Sequence, residues 1–212
     1  MVADIVSKIS FKAIGSDGHP RDVKGKIVDS GGLPVAAFST FDRGAGFFQL
    51  MPKKDEQYLA ELDDGTRFPL PEVLENGYIV LVNNLNEKSI KIIVQASEPL
   101  RNKPFYVVGN MRQRKYYQGK FEFGLNHTFT FEIPKTQMPS GVLTLTLFDS
   151  DKKPWCERPV FVNNQEELVI STKVNSNHLV ERGRVTIDIN VTDPEGRPVT
   201  TNLSMAVTDA GQ

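Results

Sequence analysis

The side chains that could do chemistry in this sequence are few and scattered. A lone cysteine, Cys156, sits in Trp155-Cys156-Glu157-Arg158, and the histidines are His19, His127 and His178. A nucleophilic cysteine needs a histidine base beside it, but His19 and His178 lie in turn-like contexts, Asp-Gly-His-Pro and Asn-Ser-Asn-His. The plainer expectation is a small, semi-buried cysteine packed beside Trp155. Three isolated histidines do not make a zinc signature, and one cysteine rules out both a disulfide framework and an all-cysteine metal site. Acid pairs occur at Asp63-Asp64, at Asp149 with Asp151, and at Asp193 with Glu195. Glycoside cleavage requires two carboxylates across one cleft, whereas turn geometry already accounts for these acids. Asp149-Ser150-Asp151 continues as Lys152-Lys153-Pro154, without the glycine or the closing glutamate of a calcium loop. Gly44-Ala45-Gly46 has no following Lys-Ser/Thr and reads as a hairpin turn, not a phosphate cradle. No cofactor is expected.

The strongest candidate binding surface is Met111 to Lys120, where Arg112, Arg114 and Lys115 adjoin Tyr116 and Tyr117, with Arg101 and Lys103 upstream. Cations mixed with aromatic rings could grip a single strand, an anionic glycan or a lipid headgroup. The competing reading is one long hairpin whose basic residues guard a sheet edge while a tyrosine packs inward. The odd positions from Gln113 to Phe123 are Gln, Lys, Tyr, Gly, Phe and Phe, which suits a partly buried face.

The elements that must position these residues are strands. Lys8 to Ile14, Gly77 to Val82, Ser89 to Ala96, Phe105 to Val108, Thr128 to Ile133, Val142 to Phe148 and Val185 to Val191 are dense in β-branched or aromatic residues. In Thr128 to Ile133 the Phe129, Phe131 and Ile133 side chains share one face, the period-two pattern of a strand covering a core. Turn signals separate the strands at Asp17-Gly18, Gly31-Gly32, Asp64-Gly65, Asn76-Gly77 and Asp193-Pro194-Glu195-Gly196. Asp55 to Leu62 fits a short helix, or a strand that turns Tyr58, Ala60 and Leu62 inward. The strand is favoured, because so short a helix without a cap is marginal. The expected fold class is therefore all-β, as antiparallel sandwiches.

The 212 residues carry 25 basic and 26 acidic side chains, a net charge of -1, with 16 glycines and 13 prolines. That balance argues against a general nucleic-acid binder. No apolar stretch approaches the roughly 18 residues of a spanning helix, and Met1 to Ser10 lacks the basic-then-apolar plan of a secretory signal. Seams are expected near 75, after Phe68-Pro69-Leu70-Pro71, and near 165, at the polar run Asn163 to Glu167. The division is then 1–75, 76–165 and 166–212, with the middle piece the right size for a seven-strand sandwich. The last piece is too short for its own core. The outer pieces share a unit: Ile9 to Ala13, Asp17-Gly18-His19-Pro20 and a strand to Asp29 parallel Val185 to Val191, Glu195-Gly196-Arg197-Pro198 and a strand to Asp209. It repeats a structural module, not a chemical site.

Four stretches in this order carry a resemblance: Ile9 to Ala13 with Asp17-Gly18-x-Pro20; Met138-Pro139-Ser140-Gly141 with Leu143 to Asp149; Glu157 to Val162; and Glu195 to Pro198 with Leu203 to Asp209. Together they are similar to the macroglobulin-like domains of the alpha-macroglobulin family, in particular those of Bacteroidetes cell-envelope proteins that carry a TonB-receptor plug domain. The resemblance implies tandem immunoglobulin-like sandwiches: 1–75 lacking its first strand, 76–165 complete, and 166–212 the start of another. It implies a signal peptide and that first strand upstream of Met1. It also implies a non-catalytic scaffold or protein-interaction role in the periplasm or at the outer membrane, linked to TonB-dependent transport. The implied partners are neighbouring domains of the same polypeptide and another cell-envelope protein, not nucleic acid, with membrane association only through parts outside this chain. Thioester members of the family use Cys-Gly-Glu-Gln, which Cys156-Glu157-Arg158 does not match. Two alternatives remain: a carbohydrate-binding module, which needs exposed coplanar aromatics, and a protease-inhibitor fragment, which needs a bait segment.

Overall fold

In a computed structural model, residues 1–124, 127–174 and 183–208 are described. The described chain is all-β, with 15 strands in antiparallel sheets and only two single-turn 3-10 segments, Glu98–Leu100 and Lys135–Gln137. His178, its turn and Asp209 lie outside the described residues.

The first six strands are β1 (Ser7–Lys12), β2 (Lys24–Val28), β3 (Pro34–Asp42), β4 (Ala45–Leu50), β5 (Leu59–Leu62) and β6 (Arg67–Pro69), in the order β1-β4-β3-β2-β5-β6. Strand β3 changes partner along its length: Pro34 to Ser39 pairs with β2, whereas Thr40 and Asp42 pair with β4, with a register shift between those two residues. The sheet thereby folds into two layers over a small core of Ile27, Phe38, Phe48, Leu50 and Tyr58. Of Asp55 to Leu62 only the last four residues form a strand, β5; Asp55 sits in a turn with φ 59°, and Tyr58, just ahead of the strand, is buried, with Ala60 and Leu62 packed on the same core.

Residues 78–162 form a sandwich. One sheet contains β7 (Tyr78–Asn83), β8 (Ser89–Ala96) and β11 (Thr128–Pro134); the other contains β9 (Phe105–Met111), β10 (Arg114–Phe121), β12 (Gly141–Phe148) and β13 (Pro154–Val162). The orders β11-β8-β7 and β10-β9-β12-β13 place the fourth strand beside the third rather than the fifth, unlike the constant-type immunoglobulin arrangement. Alternation decides what enters the core. On β8, Ile90, Ile92, Val94 and Ala96 are fully buried, and Leu143, Leu145 and Leu147 of β12 face them from the other sheet. Asn76-Gly77 is a turn signal for a different reason than expected: Gly77 does not have a positive φ, but a Cβ there would meet Val2 Cγ2 at 2.8 Å.

The last strands, β14 (Val169–Val174) and β15 (Ile187–Thr192), make a two-stranded sheet whose side chains are almost all exposed. The repeat seen in the sequence extends to hydrogen bonds. Gly15 N–H donates to His19 O and Gly18 N–H to Gly15 O; Asp193 N–H donates to Arg197 O and Gly196 N–H to Asp193 O. The bridges Ile14 to Pro20 and Thr192 to Pro198 follow the same spacing, as do Arg21 N–H to Ala13 O and Val199 N–H to Val191 O. Gly18 and Gly196 close these turns at φ values of 79° and 83°, a conformation that costs other residues energy. Beyond the turns the two copies diverge. Lys24–Val28 is a strand between β3 and β5, while Leu203 to Thr208 has no regular structure.

Candidate binding surface

Strand β10 is the edge of its sheet and joins β9 through a two-residue turn, Arg112-Gln113, with φ values of 48° and 63°. Two left-handed residues match the turn to the twist of the flanking strands. A bulge between Lys115 and Tyr117 inserts Tyr116 as an extra residue, so both tyrosines lean onto the core. Tyr117 stacks on Phe131 of the facing sheet, centroids 5.9 Å apart and planes at 11°, and burial pushes its hydroxyl pKa up. Arg114 lies over the Tyr116 ring at 5.8 Å. Lys115 Nζ donates to Gln118 Oε1 at 2.7 Å, and Arg112 donates to the Ser140 carbonyl at 3.0 Å. Of the five expected residues, then, Arg112, Arg114 and Lys115 gather at the exposed tip and edge, while the tyrosines serve the packing. Arg101 belongs elsewhere, at the opposite end of β9, where its guanidinium meets Ala96 O and His127 Nδ1.

The other candidate groups are held in structural roles. Cys156 packs against the sandwich core, and burial, offset in part by Arg158, pushes its thiol up to about 11. It is then almost wholly protonated near neutral pH. Asp149, 8% exposed, accepts from Asp151 N–H, Lys153 N–H and Trp155 Nε1 at 2.9, 3.0 and 2.7 Å. Burial pushes its carboxyl pKa up, yet these bonds outweigh burial and hold it below the ordinary value. Asp193 and Asp64 likewise accept backbone N–H groups within their own turns, and Asp63 pairs with Lys24. Tyr78 sits edge-on to Trp155 at 5.6 Å, and burial together with the Asp149 charge raises its hydroxyl to about 12. Among the described residues, no three metal-ligating side chains converge, and no helix is long and apolar enough to cross a membrane.

One surface escaped the sequence reading. Phe41 and Phe47 are 70% and 45% exposed and pack edge to face at 5.9 Å, with Lys8 Nζ 3.8 Å above the Phe47 ring. The available signal was the dipeptide Phe47-Phe48, since a strand must turn one of two adjacent rings outward.

The chain matches no family profile and no curated protein sequence. Among solved structures, the adhesin InvE of Yersinia pseudotuberculosis is similar at 13% identity and a TM-score of 0.31, covering 77% of this chain and 56% of the adhesin chain. The chain thus spans little more than half the length of that structure.

Proposed function

We propose that this chain is a non-catalytic run of macroglobulin-like β-sandwich modules that serves as scaffold and protein-interaction region in a bacterial cell-envelope protein, linked to TonB-dependent transport. The observation that carries the reading is the repeated turn. The same main-chain hydrogen bonds recur around Gly18 and Gly196, so what the chain repeats is a backbone module, as strings of spacing domains do. The exposed cations at the β9–β10 tip supply the contact surface, toward an acidic face of another envelope protein.

Photo-crosslinking from position 113 in the parent cell's envelope fraction tests this. A discrete adduct is expected, and it should be lost in the variant combining Arg112→Glu, Arg114→Glu and Lys115→Glu while the melting temperature holds. A parent protein found only in the cytoplasm, or an adduct indifferent to the charge reversal, overturns the reading.

A further inference from the structure

The two layers of β1 to β6 do not close. Strand β1 ends one layer and β6 the other, and between them lies a cleft of about 520 Å³ lined by Ile9, Phe11, Phe38, Phe48, Leu62 and Phe68. A cleft of this size falls within the range of ligand-binding pockets. Lys12 and Arg21 also line it, Arg21 in an ion pair with Asp17 at 2.6 Å, and no carboxylate belongs to the lining itself.

The two edges differ in what their backbones offer. Ala13 N–H donates to Gly44 O, and in the antiparallel register of β1 with β4 the alternation makes Ile9 and Phe11 the residues bonded to β4. The N–H and C=O groups of Lys8, Ser10 and Lys12 therefore face away from β4, along an unpaired edge. On β6, Leu62 N–H donates to Thr66 O and Leu70 N–H to Tyr58 O, so Arg67 and Pro69 point outward. Pro69 has no N–H to give, which blunts that edge. Strand addition is thus possible along β1, over about 20 Å for six residues. The side chains then set the pattern. Ile9 and Phe11 pack on the core, while Lys8 and Lys12 are exposed, without an ion-pair partner among the described residues.

We propose that this cleft binds an extended acidic-apolar polypeptide segment, which adds as a strand to β1. Apolar side chains at alternate positions enter between Phe11, Phe38 and Phe48, and carboxylates at the intervening positions lie across from Lys8 and Lys12. The lysines that shield the edge from indiscriminate pairing become the selection for an acidic partner. This site is separate from the β9–β10 tip, and it stands or falls independently of the function proposed above.

The test uses the full chain and a fluorescein-labelled nonapeptide that alternates valine with glutamate and threonine, read by fluorescence anisotropy. Saturable binding is expected, and it should weaken at least about tenfold for a peptide of the same composition with its valines grouped, and for one N-methylated at alternate residues. Lys8→Glu with Lys12→Glu should weaken binding of the acidic peptide about tenfold, and binding should return when the peptide's glutamates are replaced by lysines. Ser10→Pro, which removes an outward N–H, should abolish binding with the far-UV circular dichroism unchanged; the charge swap decides the matter if that variant unfolds. Equal affinity for the grouped or N-methylated peptide overturns the proposal, as does laurate binding without peptide binding. Filling of the cleft by a second copy, seen as self-association that the peptide does not compete, also overturns it, as does no binding at millimolar peptide.

Discussion

Seventeen buried apolar residues form one cluster between the sheets of β7 to β13, whereas five do so between the layers of β1 to β6. Both regions are built from the same alternating strands and tight turns. In the sandwich the edges meet: Arg158 of β13 donates to the Val80 carbonyl of β7, and rings from β7, β9, β10 and β11 interlock around Phe105. In the first region β1 and β6 stand apart, and the rings of Phe11, Phe38 and Phe48, 5.1 to 6.4 Å apart, border open space. The difference shows that a strand pattern sufficient for a sheet is not sufficient for a closed core.

The largest effect expected from this contrast is on the core rings. Phe105→Ala should destabilise the sandwich by about 3 to 5 kcal/mol, because its cavity is closed on all sides. Urea unfolding followed by the fluorescence of Trp155, the sole tryptophan, reads it. Phe48→Ala should leave the Trp155 transition in place and shift only the remaining circular dichroism change. Equal shifts of the Trp155 transition by both variants would mean that the regions unfold as one, and the comparison would fail.

A smaller effect is expected at the turns. Asp149→Ala should cost about 1 to 3 kcal/mol, since it leaves two turn N–H groups and the Trp155 indole without their acceptor. Asp17→Ala, at an exposed turn of the open region where the carboxylate pairs with Arg21, should stay within about 0.5 kcal/mol. The folded chain holds Asp149 below its ordinary pKa, so the unfolded chain takes up the proton first as pH falls. Its contribution is present above the unfolded carboxylate pKa and is lost as pH falls through the folded one. The gap between wild type and Asp149→Ala should accordingly narrow in acid, as thermal melts across pH will show. A gap constant down to pH 2 would refute the assignment.

The smallest effect compares the two copies of the repeated turn. Gly18→Ala should cost about 1 kcal/mol, because its positive φ is built into a region with a core. Gly196→Ala has the same local strain, but among the described residues no buried cluster forms around it, so neither fluorescence nor the main melting transition should move. Matching shifts would show that the β14–β15 hairpin is coupled to the rest.

Much of this was readable in the residues. The alternation in Ser89 to Ala96 and Val142 to Phe148 predicts the buried faces of β8 and β12, because a strand has only two sides. The turn at Asp17-Gly18 and its second copy were legible because glycine at positive φ is a local demand. What could not be read is pairing across distance. Nothing local says that β3 changes partners at Thr40, that the Lys115–Tyr117 bulge turns both tyrosines toward the core, or that Arg101 lies far from the Arg112 tip. The carboxylate of Asp149 reads as an ordinary turn residue, and its bond to the Trp155 indole exists only once the turn folds back over β13.

The amino-acid order by itself determined the all-β class, the strand faces and the turns closed by Gly18, Gly32, Gly65 and Gly196, since each depends on the φ/ψ preferences and polarity of neighbouring residues. Register, sheet membership and closure depended on the assembled chain. The same edge strand is a finished border where another edge meets it and a binding site where none does, and that depends on which backbone hydrogen bonds are left without a partner in three dimensions.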